Sequence, residues 1–169
     1  MERPLGAFVN PQRRRDGLIT AQQLAQYKHD GYLTLENVFS AAELATLQSV
    51  TDDFVERSRS VMSPTDIFDL EPWHTPESPA LRRIKNPVAN HEVYHRAFCN
   101  DFVLGVVETL LGTPNIRTNG DKLNLKLPGV GSPVQWHQDW GYYPHTNDDL
   151  LAVGIALDDM TVANGAMQV

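Results

Sequence analysis

His137 and Asp139 are the residues of this chain whose types and spacing most directly suggest chemistry. They stand two apart in the run Pro133-Val134-Gln135-Trp136-His137-Gln138-Asp139-Trp140. On an extended strand, side chains two positions apart point to the same face. An imidazole nitrogen and a carboxylate oxygen on one face can reach a single metal ion. The pair is then two thirds of a two-His-one-carboxylate facial triad, a ligand set that leaves positions open on non-haem Fe(II). Gln135 falls on the same face, so a Gln/His/Asp row is expected along one side of one strand. Trp136 and Gln138 face the other way. Polar groups turned inward need a partner that makes up for lost water, and a metal with a bound anion provides one. The ordinary alternative for a His-x-Asp pair is a strand histidine that is simply hydrogen bonded.

The elements that must place these residues are readable from periodicity and capping. Residues 1–19 read as a flexible lead-in containing the short basic cluster Arg13-Arg14-Arg15, and residues 20–169 as one domain. Thr20 is an expected N-cap for a helix running through Leu24 and Tyr27 to Asp30-Gly31. Residues 32–35 read as a short strand. Ser40, with Glu43 three residues on, predicts a capping box and a second helix with Leu44, Leu47, Val50, Phe54 and Val55 on its apolar face. Residues 60–90 hold five prolines and read as one long irregular segment; such loops are often functional. Helices are expected over 93–98 and 101–111, the latter stopped by Gly112 and Pro114. From there the pattern changes to strands: 122–127 in strict alternation, 134–139 with the His and Asp, and 150–157 apolar enough to be buried on both faces. Asn164-Gly165 predicts a turn, and 166–169 the start of a fourth strand. Helices followed by strands suggest a helix-supported sheet sandwich or barrel. Its last strand is an unfinished edge, which offers a route to self-association.

The bulk properties exclude several functions. A net charge of -7 argues against a nucleic-acid surface, which needs clustered Lys and Arg. The single cysteine, Cys99, rules out an internal disulfide and reads as a buried core thiol. No apolar run reaches membrane-spanning length, and the N-terminus lacks the apolar stretch of a signal peptide, so a cytoplasmic protein without a membrane partner is expected. At 169 residues the chain has a one-domain length.

Several stretches together resemble the phytanoyl-CoA dioxygenase family of Fe(II)- and 2-oxoglutarate-dependent oxygenases. They are Lys122 through Gly129, Gln135 through His145, Asn147 through Leu151, Ile155 through Asp159, Asn164-Gly165 and, nearer the N-terminus, Asp30 through Leu44. The similarity covers nearly all of the chain from about Thr20. It implies an α+β, mainly β fold: a double-stranded β-helix (jelly-roll) core with N-terminal helices packed on one side, incomplete at the C-terminus. It implies Fe(II) held by His137 and Asp139, with a distal His further on, and 2-oxoglutarate as cosubstrate. Lys85 and Gln135 match positions that contact the cosubstrate in some relatives, and Lys122 sits near another. The alternative for Lys85 is an ordinary basic residue in an exposed loop. A carboxylate at position 139, rather than a small residue, fits hydroxylation.

Trp140, Tyr142 and Tyr143 are candidates for a wall of the substrate pocket, or ordinary core aromatics. The family's distal His and the Arg that grips the far carboxylate fall beyond the position matching Val169. His145 is the local candidate for a third ligand, with a substrate-facing or solvent-exposed role as its alternative. His29, His74, His91 and His95 read as surface or structural residues. The implied activity is hydroxylation of a small organic substrate with O₂. The rival readings are a catalytically incomplete fragment or non-enzymatic jelly roll that binds metal weakly or not at all, and a cupin-like barrel using Zn²⁺ or Mn²⁺.

Overall fold

The two N-terminal helices begin where their caps predict. The computed structural model describes residues 17–129, 131–143 and 146–169. In α1 (Ala21–Asp30) the Thr20 hydroxyl accepts from the Gln23 N–H, and the Gln23 side chain accepts from the Thr20 N–H. The helix ends on Gly31 in the left-handed conformation, φ +81°. In α2 (Ala41–Ser58) Ser40 and Glu43 form the same reciprocal pair. Leu47, Val50 and Phe54 of α2 are buried, with Leu44 and Val55 half-buried at the margins of the stripe.

Three more helices follow: α3 (Pro87–Asn90), α4 (Glu92–Phe98) and α5 (Asp101–Leu111). The Asn100 carboxamide oxygen accepts from two backbone N–H groups at the start of α5, and Gly112 closes its far end. Leu18 lies directly over Gly105 of α5, so packing begins slightly before Thr20.

The sheet is antiparallel, in the order β1 (Phe68–Leu70), β2 (Leu81–Lys85), β3 (Lys122–Asn124). Two of these strands lie within residues 60–90, which are therefore not one irregular segment. The prolines flank the strands instead of interrupting them, where a missing N–H costs no ladder bond. The strands are three and five residues long, too short for their alternation to stand out among the prolines.

Phe68, Leu81 and Ile84 join Leu47, Val50, Phe54 and Tyr94 in one core, with Leu123 and Leu125 packed against it. The side chains of Asp69, Arg83, Lys85, Lys122 and Asn124 alternate to the other face of the sheet, where Arg83 Nε donates to Asn124 Oδ1 at 3.0 Å.

The remaining strand expectations are corrected. Residues 32–35, 134–139, 150–157 and 166–169 are not strands, and the 122–127 strand shortens to β3, with one further ladder-like bond from Leu125 N–H to Arg82 O. Residues 150–157, expected to be buried on both faces, are half-buried or exposed. Alternation can mark a chain fit for a sheet, but a strand exists only where a neighbour accepts its backbone hydrogen bonds, and none does so for these segments among the described residues. Helices beside a small antiparallel sheet are what the described residues form. No helix among them is long and apolar enough to cross a membrane.

Candidate metal centre

His137 and Asp139 do come together, though by a different route from the one expected. A 3₁₀ turn over Asp139–Gly141, closed by Tyr142 N–H to Asp139 O at 2.9 Å, replaces the strand. His137 Nδ1 lies 2.7 Å from the carbonyl oxygen of Gln135. A carbonyl only accepts, so Nδ1 carries a hydrogen, and in the neutral ring the lone pair then lies on Nε2. That Nε2 faces Asp139 Oδ1 at 3.3 Å. Two electron-rich atoms at this separation repel unless a proton or a cation lies between them. Cis ligands with bonds of about 2.1 Å to one ion stand roughly 3 Å apart, so the donor pair fits a shared metal. The Gln135 carbonyl orients the His137 ring, in the way backbone acceptors orient histidines that bind metals. Tyr142 packs edge-on against the imidazole, ring centroids 5.7 Å apart.

The other predicted residues are placed less directly. Gln135 contributes its backbone oxygen, while its exposed side chain makes no hydrogen bond among the described residues. Lys85 ends β2 directly opposite Lys122, and no hydrogen bond or ion pair among the described residues links either ammonium to His137 or Asp139. Trp140 donates through its indole N–H to Asn147 O at 3.1 Å, and Trp136 and Tyr142 are 75% and 71% exposed. Of the three candidate wall residues, Trp140 and Tyr142 are therefore not core, and Tyr143 is half-buried. His145 lies outside the described residues. Among the described residues no cluster of three or more His, Cys, Asp or Glu could hold a metal ion; His137 and Asp139 are the candidate pair that the described residues bring together.

The remaining histidines behave structurally. His91 caps α4 through Nδ1 and packs edge-on against Phe54 and Tyr94. His74 Nδ1 accepts from the Ala80 N–H at 2.9 Å. Cys99 is half-buried, not fully buried, with Sγ 3.8 Å from His95 Nε2. An open groove of about 390 Å³ lies on the helical side, between Val50, Phe54, Arg57 and His91, and takes no residue from the His137 segment.

Sequence reasoning missed Glu71. Only 4% exposed, its carboxylate accepts from both the N–H and the hydroxyl of Ser132, at 3.0 and 2.6 Å. Burial pushes its carboxyl up, but the two Ser132 donors and the nearby Arg82 charge outweigh this and leave it below its ordinary value. A lone Glu beside a proline carries no periodic signal, and its partner is 61 residues away.

These features fit a sequence class that comparison identifies. The chain belongs to the phytanoyl-CoA dioxygenase (PhyH) family, whose pattern matches residues 27–169. It is 36% identical over 147 residues to a probable alpha-ketoglutarate-dependent hypophosphite dioxygenase of Stutzerimonas stutzeri, covering 87% of this chain and 51% of that protein. It is 27% identical over 170 residues to an ectoine dioxygenase of Sphingopyxis alaskensis, covering 98% and 53%. An iron-bound crystal structure of EctD from S. alaskensis aligns over 64% of this chain and 36% of its own, at 30% identity and a TM-score of 0.49. The chain thus spans about half the length of the curated relatives it matches.

Proposed function

We propose that this chain carries the proximal half of an Fe(II)- and 2-oxoglutarate-dependent dioxygenase centre, in a cytoplasmic protein that oxidises a small molecule with O₂. The observation that carries the reading is the His137–Asp139 pair, its imidazole held so that Nε2 faces the carboxylate at 3.3 Å. Bound Fe(II) would supply redox chemistry and open coordination positions for cosubstrate and O₂. His137 would bind through Nε2, since Nδ1–H is committed to Gln135, and Asp139 through a carboxylate oxygen. The third ligand and the cation that grips the far carboxylate of 2-oxoglutarate come from outside the described residues, within a completed jelly roll.

Lys85 is assigned to a carboxylate of 2-oxoglutarate. Directly opposed lysines on adjacent strands repel, and Lys85 and Lys122 are opposed with no ion pair among the described residues, an arrangement that an anion relieves. The Gln135 amide is the second assigned cosubstrate contact, and Trp140 and Tyr142 border the substrate. Identity to the hypophosphite dioxygenase exceeds that to the ectoine dioxygenase, so hypophosphite is the first substrate to test. The full polypeptide, loaded with Fe(II) and given 2-oxoglutarate, O₂ and either hypophosphite or ectoine, is expected to form succinate faster with one of them than with neither. Succinate at the same rate in wild type and His137→Ala would contradict the assignment.

A further inference from the structure

Residues 131–143 hold the metal-binding pair yet belong to no strand. Most hydrogen bonds they make are local: His137 to Gln135, Gly141 to Gln138, Tyr142 to Asp139, Tyr143 to Trp140 and Trp140 to Asn147. Among the described residues, the two bonds from Ser132 to Glu71 are the hydrogen bonds that tie this segment to a distant part of the chain. Glu71 is well placed for that. It follows β1, its N–H donates to Ala80 O at 2.8 Å, and its carbonyl accepts from the His74 N–H at 3.0 Å. Each carboxylate oxygen takes one Ser132 donor, so both the distance and the direction of Ser132 are set. Ser132 stands three residues before Gln135 and five before His137.

We infer that Glu71 is a positioning residue for the metal centre: its buried carboxylate fixes, through Ser132, the point from which the chain enters Gln135-Trp136-His137-Gln138-Asp139. A ligand set works only when held to within about 0.5 Å of its productive geometry, and a segment without ladder bonds needs an anchor from elsewhere. The inference rests on the proposed function for what the segment binds.

A double-mutant cycle tests it in the full polypeptide with Co(II) alone as the probe. Ser132→Ala, at a half-buried position with little risk to folding, and Glu71→Ala are each expected to weaken Co(II) binding roughly five- to tenfold. The double variant should be no weaker than Glu71→Ala, because both changes break one link. Amide exchange across residues 131–143 should quicken in all three without metal. Gln48→Ala is the control: it removes a different long-range tether, from Gln48 Nε2 to Leu157 O and Asp158 Oδ1, and should leave Co(II) affinity unchanged. Unchanged affinity in folded Ser132→Ala and Glu71→Ala, or additive losses, would overturn the assignment while leaving the metal site standing. Failure of the wild type to bind Co(II) would overturn the metal site, and the assignment with it.

Discussion

At the scale of single residues, two carboxylates do opposite things. Asp139 is half exposed with its Oδ1 3.3 Å from His137 Nε2, an arrangement suited to an ion that arrives from solution. Glu71 is buried and fully committed to Ser132, and its carboxyl sits below the ordinary value of 4.5. A carboxyl with a depressed folded-state pKa contributes stability that is present above its unfolded value and lost as pH falls through the folded one. The protection of residues 131–143 from amide exchange should therefore hold from neutral pH down to about 4.5 and fall below that. Glu71→Gln should flatten that acid limb. Asp121 has the reverse sign: burial raises its carboxyl above 3.8, against the Val88 N–H bond, so its ionisation costs stability as pH rises from 3.8 through the folded value. Asp121→Asn keeps an acceptor for Val88 and should leave chemical denaturation at pH 7 unchanged or slightly shifted to higher denaturant.

At the scale of elements, local signals proved readable and non-local ones did not. Thr20, Ser40, Gly31 and Gly112 act within a single turn of helix, and the helices begin and end on them. β1 and β2 depend on each other across a proline-rich loop, so nothing within either strand announces it. Segment 150–157 shows the converse, with a strand-like sequence and no ladder among the described residues. Phe54 joins the layers, touching Phe68 of β1 and Tyr94 of α4 edge-on or tilted, with the Arg57 guanidinium 4.5 Å from its ring. Phe54→Ala should cost about 3–5 kcal/mol in equilibrium unfolding. Asn100→Ala, which deprives α5 of its cap, should cost about 1 kcal/mol.

At the scale of the whole molecule, the helices and β1–β3 bury a core, while the segments after β3 leave apolar side chains outside it. Trp136, Val153, Met160, Val162, Met167 and Val169 are all exposed. Residues 1–169 expressed alone should therefore self-associate in size-exclusion chromatography, and a longer polypeptide that covers these side chains should not. The site was legible to the same degree. His-x-Asp spacing foretold that the two side chains meet, because residues close in sequence are close in space whether the backbone is a strand or a 3₁₀ turn. The anchor at Glu71 and the surroundings of Lys85 were not legible, since each depends on a partner dozens of residues away.

The most direct test is an anaerobic titration of the full polypeptide with Fe(II) and 2-oxoglutarate, followed by visible absorption. The wild type is expected to develop a metal-to-ligand charge-transfer band that is lost in both His137→Ala and Asp139→Ala. No band in the wild type, or a band of the same intensity in either variant, would contradict the proposed metal centre.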